Sequence, residues 1–133
     1  MAPGRAEGPV VRLDEPLSLW GGMDAVTGDV IDRRHPQFGV NLTGCVLVMP
    51  SGRGSSSSST ILAESIRAGT GPVAIVLREP DPILALGSIV AGELYRAAVP
   101  VVVLDAPSYE RVVAGRRAEV LAGPDGVRVA QEP

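Results

Sequence analysis

The chain contains no lysine, and all twelve of its basic residues are arginine. That excludes a Schiff-base lysine and the lysine of a Walker-type phosphate loop. Histidine occurs once, at His35, and cysteine once, at Cys45. A single cysteine can neither close an internal disulfide nor hold an iron–sulfur cluster within the chain. With one histidine in the polar loop Arg33–Gly39, a metal site built by this chain alone is not expected. Aromatic residues are scarce, only Trp20, Phe38, Tyr95 and Tyr109. The core must therefore come from Val, Leu, Ile and Ala, and no stacking platform for single-stranded nucleic acid is on offer. A net charge of −3 likewise gives no electrostatic footprint for nucleic acid. There is no apolar run of the ~18 residues a membrane span needs. The N-terminal MAPGRAEGPV lacks a signal-peptide core. These absences predict a cytoplasmic protein that binds neither membrane nor nucleic acid.

What is present is punctuated by glycine and proline into short elements. Residues 1–8 read as a disordered tail, and residues 9–133 as one domain. Val10–Leu13 and Leu17–Trp20 read as short strands, with a Thr27-Gly28-Asp29 turn and an extended Val30–Asp32 after them. Three continuous apolar runs follow: Val46–Met49, Val73–Leu77 and Val101–Leu104. Between the last two lies a helical pattern that opens on Asp81 as N-cap with Pro82 in the first turn. A short helix is expected over Ser108–Val113, and Ala118–Leu121 with Val127–Ala130 read as a hairpin around Gly123-Pro124-Asp125-Gly126. Apolar strands joined by helical crossovers lie parallel and covered on both faces. The fold class is thus α/β: a small parallel sheet flanked by helices, with an additional β layer from the more polar terminal strands.

The stretch around which the chain is organised is VLVMPSGRGSSSSSTILAESI, residues 46–66. A buried strand is broken by Pro50-Ser51-Gly52, then Arg53, Gly54 and five serines lead into a helix opened at Thr60 and stopped at Gly69. A helix N-terminus offers unpartnered N–H groups and the positive end of the macrodipole. Serine hydroxyls and the Arg53 guanidinium add donors suited to a carboxylate or phosphate. Flexible-linker composition is the competing reading of the serines, but a strand on one side and an amphipathic helix on the other oppose it. Neither the Walker spacing nor the dinucleotide glycine fingerprint is present. A Ser55–His35–Asp81 triad lacks the G-x-S-x-G elbow. The stretch has the anion-binding half of an active site and lacks the rest. Cys45, beside the first apolar run, reads as a buried inert thiol, and His35 as a surface or hydrogen-bonding residue.

Three blocks, GGMDAVTGDVIDRRHP (21–36), VLVMPSGRGSSSSS (46–59) and AIVLREPDPILALGSIVAGELY (74–95) with VPVVVLD (99–105), resemble the aconitase X small subunit, or swivel domain. The resemblance runs in order over residues 10–130. It implies a swivelling β/β/α domain docked on a separate aconitase-like large subunit that carries an iron or iron–sulfur centre and most substrate contacts. By the same resemblance Ser55 is the base, accepting the α-proton of a small hydroxy acid. Arg53, Gly54, Ser56 and Ser57 would hold the substrate carboxylate, and this chain would contribute no metal ligand. The long serine run leaves Ser55 and Ser56 both open as the base. Two hydro-lyase activities go with the family, cis-3-hydroxy-L-proline dehydratase and phosphomevalonate dehydratase. The arginine-only, mildly acidic composition favours the first. A non-catalytic swivelling carrier or binding module is the remaining reading, although a carrier would need a modifiable His or Lys at the loop tip.

Overall fold

The three apolar runs become the adjacent parallel strands β2 (Val46–Met49), β3 (Ala74–Leu77) and β4 (Val101–Val103). This computed structural model describes residues 1–131. Side chains alternate between two faces, as the strand period requires. Leu47, Met49, Ile75, Leu77 and Val101 join one cluster of buried residues with Leu62 and Leu84. Those last two come from α2 (Ser58–Ala68) and α3 (Pro82–Tyr95), which therefore cover that face. Val46, Val48, Ala74, Val76 and Val102 join a second cluster with Ala118, Val120 and Ala122. These belong to β5 (Arg117–Gly123), which pairs antiparallel with β6 (Gly126–Gln131). The hairpin thus curls over the face that the helices leave, and is the expected additional β layer. The short α4 (Ala106–Glu110) adds the buried Tyr109 to this side.

The layers are joined by β1 (Gly4–Arg12). Its Val10–Arg12 pairs parallel with β2, and its Gly4–Pro9 pairs antiparallel with β5, giving one six-stranded sheet of order β4-β3-β2-β1-β5-β6. The expectation of a disordered tail at residues 1–8 is corrected here. Gly4–Gly8 are strand, Ala2 bridges Val101, and Ala2 is buried. Cross-strand pairs Arg5–Glu119 and Arg117–Glu7, at 3.0 and 3.2 Å, hold the exposed face of β1 to β5.

Leu17–Trp20 is not a strand. Leu17 makes an isolated bridge to Gly52, and Leu19–Gly22 then forms a single kinked turn, α1. Of the extended Val30–Asp32, only Val30 makes a bridge, to Met23, and the adjacent Asp29 bridges Asn41. Helix starts also shift: α2 begins at Ser58 and α4 at Ala106, where Asp105 accepts the Ser108 N–H at 2.9 Å.

Candidate active-site loop

The loop that follows β2 leaves at the carboxyl edge of the parallel strands, the usual place for ligands in sheets of this kind. Its path is fixed by backbone. The Pro50 carbonyl accepts the N–H groups of Arg78 and Glu79, both at 3.1 Å, from the connection between β3 and α3. Gly54 has φ of 67°, a left-handed angle that suits glycine and turns the chain toward α2. At the other end of α2, Gly69 with φ of 74° closes the helix, as its position in the sequence predicts.

The five serines divide into different tasks. Ser55 Oγ accepts the Ser57 N–H at 3.2 Å, and the Ser55 carbonyl accepts the Ser58 N–H at 3.0 Å. Ser55 therefore holds the first turn, although Ser57 is the residue flanking the helix and makes no side-chain cap of its own. Ser56 is exposed, with its side chain open to solvent, and Ser57 is half-buried. Ser58 is buried, and its Oγ accepts the Trp20 N–H at 3.1 Å, tying α1 to the start of α2. Ser59 Oγ donates to the Ser56 carbonyl at 2.8 Å.

The expected source of free donors needs correction. The N–H groups of Ser57, Ser58, Ser59 and Thr60 all find acceptors within residues 55–57, in a tight turn with bonds of 3.0–3.3 Å. Between Arg53 and Thr60, the N–H groups with no acceptor among the described residues are instead those of Arg53, Gly54 and Ser56. Arg53 is exposed and takes part in no ion pair among the described residues. Arg53, Gly54, Ser55, Ser56 and Ser57 are thus brought together on one open loop. The backbone donors lie in that loop, just ahead of the helix.

The other chemistry-bearing residues lie elsewhere. Both nitrogens of His35 are engaged. Its Nδ1 accepts the Gln37 N–H and its Nε2–H donates to the Glu15 carbonyl, each at 3.0 Å. At 6% exposure it is a buried structural residue, which rules it out as partner to Ser55. Cys45 is 2% exposed, and burial pushes its thiol up to about 12, so it is inert as read from the sequence. No group of three or more His, Cys, Asp or Glu among the described residues is placed to hold a metal ion. The ligand set an iron centre needs does not fit the residues of this chain. Asp81 does reach the loop: an added Cβ on Gly52 would collide with its Oδ2. The sequence marks Asp81 as a helix cap and Gly52 as a turn, and nothing in it signals that the two touch.

A family model described as the aconitase X swivel domain matches residues 1–129. The chain belongs to that family. Among solved structures, the swivel domain resembles the aconitase X of Thermococcus kodakaraensis, with a TM-score of 0.80 at 29% identity, over 97% of this chain and 92% of that one. It also resembles a UPF0107 protein solved by NMR, with a TM-score of 0.84 at 32% identity over 99% of this chain and 94% of that one. Among curated proteins it is 47% identical to the cis-3-hydroxy-L-proline dehydratase of Pseudomonas aeruginosa, over 78% of this chain and 18% of that protein. The corresponding dehydratase of Hypocrea jecorina is 42% identical over 90% of this chain and 20% of its own length. The swivel domain therefore spans about one fifth of these two relatives. It is 36% identical to the phosphomevalonate dehydratase small subunit of Methanothrix thermoacetophila, over 92% of this chain and 90% of that protein.

Proposed function

We propose that this swivel domain is the small subunit of an aconitase X-type hydro-lyase and supplies a serine base to an active site it shares with a larger aconitase-like unit. The observation that carries the reading is the half-site of loop 53–57. It combines a hydroxyl at a helix N-terminus with backbone donors and a guanidinium that have no partner among the described residues, and Arg53, Gly54 and Ser56 are exposed. Such a loop can hold a carboxylate and take a proton, but it needs a second body to bind the rest of a substrate. Match to nearly the whole of a protein named a small subunit supports the separate-partner form.

In this reading Ser55 is the proton acceptor. Its oxygen already receives the Ser57 N–H, and a donor aimed at that atom favours the charged form that proton abstraction requires. Arg53 and the Gly54 and Ser56 N–H groups would hold the substrate carboxylate, with the exposed Ser56 hydroxyl as a further donor. Ser57, half-buried beside them, would flank the same site. Any iron centre would sit on the large unit, where it would act as a Lewis acid on the departing hydroxyl. Trp20, 56% exposed and bonded through its N–H to Ser58, stands beside the loop as a docking residue for that unit.

The substrate we favour is cis-3-hydroxy-L-proline, since the two dehydratases of that name are 47% and 42% identical to this chain. Phosphomevalonate is the second reading, supported by the coverage of the Methanothrix small subunit. The deciding experiment reconstitutes the chain with an aconitase-like large subunit, loads iron, and assays both compounds. Turnover of cis-3-hydroxy-L-proline by the pair and by neither part alone is expected. Turnover of phosphomevalonate only would reassign the substrate, and turnover by the isolated chain would overturn the shared site.

A further inference from the structure

We infer, on the reading of residues 53–57 as the reactive loop, that the segment from Arg78 to Gly87 is a bracket that sets where Ser55 projects. Asp81 and Gly87 are its positioning residues. The bracket grips the loop at three successive points. At its entry, the Arg78 and Glu79 N–H groups hold the Pro50 carbonyl. In its middle, the Asp81 carboxylate lies against Gly52. At its exit, Gly87 of α3 meets the first turn of α2, where an added Cβ would stand 2.7 Å from the Ser59 carbonyl oxygen and 3.0 Å from its Cα.

The central contact has a definite geometry. Asp81 Oδ1 accepts the N–H groups of Ile83 and Leu84 at 3.0 and 3.1 Å, which is the cap of α3. With one oxygen committed to the cap, the other is aimed at Gly52. An added Cβ there would collide with Oδ2 and stand 3.3 Å from Leu84 Cδ1. Gly52 is not among the residues with positive φ, so this glycine is required by proximity and not by backbone conformation. The carboxylate cannot swing aside without giving up the cap. A side chain at position 52 would therefore push the loop that carries Ser55 off the sheet edge.

A reacting group displaced by about 1 Å can cost on the order of 10²-fold in rate, so the bracket is a determinant of catalysis without touching substrate. It also explains why one segment carries both a proline-flanked cap and a mid-helix glycine: the cap presses Gly52 and the glycine lets α3 meet Ser59.

The test uses Gly52→Ala in the full chain, read in two ways. One readout is the amide NMR signals of residues 53–57, and the other is kcat and KM of the complex with its large subunit. We expect Gly52→Ala to shift those signals and lower kcat on the order of 10²-fold, with a smaller change in KM. Adding Asp81→Ser should restore both, because serine keeps a capping oxygen and removes the one that collides. If Gly52→Ala unfolds the chain, Gly87→Ala presses the same loop through Ser59 and must move the same signals. Unmoved signals in the folded variants, or a double variant no better than Gly52→Ala, would overturn the bracket. A parent complex inactive on either substrate would defeat the functional reading only, since the amide signals judge the bracket without turnover.

Discussion

Ser55 receives a hydrogen bond from the Ser57 N–H, and among the described residues neither its own hydroxyl proton nor the side chain of its neighbour Ser56 has a partner. The difference separates their substitutions. Ser55→Ala should lower kcat by ~10²–10⁴-fold, the range for a general base, with little change in apparent affinity. Ser56→Ala should weaken substrate binding by roughly 1–3 kcal/mol, the cost of a lost hydrogen bond to a charged group. Steady-state kinetics of the reconstituted pair distinguishes them. If only Ser56→Ala is dead, the base lies one residue further on. Arg53→Lys should also raise KM, because an ammonium cannot reproduce a two-pronged contact. Cys45 gives a prediction free of any activity assay. Its thiol rises from 9.0 to about 12 on burial. The folded state therefore keeps its proton where the unfolded state loses it. The associated stability is whole below pH 9, and drains away as pH climbs toward 12. A thiol reagent at pH 8 should leave the native chain unlabelled and label one site after denaturation.

At the scale of elements, the Asp81 cap gives a stability prediction. Asp81→Ala removes the acceptor for two N–H groups at the start of α3 and should cost about 0.5–2 kcal/mol, read as a fall in Tm. This cap was legible in the sequence, because aspartate before proline has a single structural use ahead of an apolar helical pattern. The three parallel strands were legible for a similar reason: four-residue apolar runs such as Val46–Met49 and Ala74–Leu77 have nowhere to go but a doubly covered sheet. The glycine stop of α2 and the closing hairpin were also readable. β1 was not. Arg5, Glu7 and Pro9 alternate with small residues, so Gly4–Pro9 carries too little apolar signal to mark a strand. Leu17–Trp20 showed the alternation of a strand, yet the Ser58 hydroxyl takes the Trp20 N–H and the chain turns at Gly21. In the loop, the location and residue types of the half-site were readable. The division of labour among five identical serines was not, since it depends on which hydroxyl the first turn consumes. Nor was the consumption of the helix N–H groups, which moved the free donors back to Arg53, Gly54 and Ser56.

Seen as a whole molecule, the domain keeps large apolar groups exposed, one of them, Trp20, beside the loop. Trp20 is 56% and Phe38 52% exposed, whereas Met23, next to the Gly21-Gly22 pair, is buried at 2%. Trp20→Ala should leave Tm within the small range typical of surface changes and abolish co-purification with the large subunit. Met23→Ala should lower Tm by creating a cavity. Retained co-purification of the folded Trp20 variant would remove this residue from the interface. The double register of β1 reaches further still, into how the chain acquires its shape. Its first strand pairs Gly4 with Ala122, 118 positions away (122 − 4), and Ala2 bridges Val101. On a ribosome, residues 4–9 precede their partners in β5 by 108 to 118 positions (117 − 9 and 122 − 4) and must wait for them. Contacts so distant in sequence make folding slow, because a long loop must close before they are rewarded. Until β5 arrives, the valine-rich face of β2 and β3 lacks the cover of Ala118, Val120 and Ala122, and an uncovered apolar sheet face is prone to aggregation.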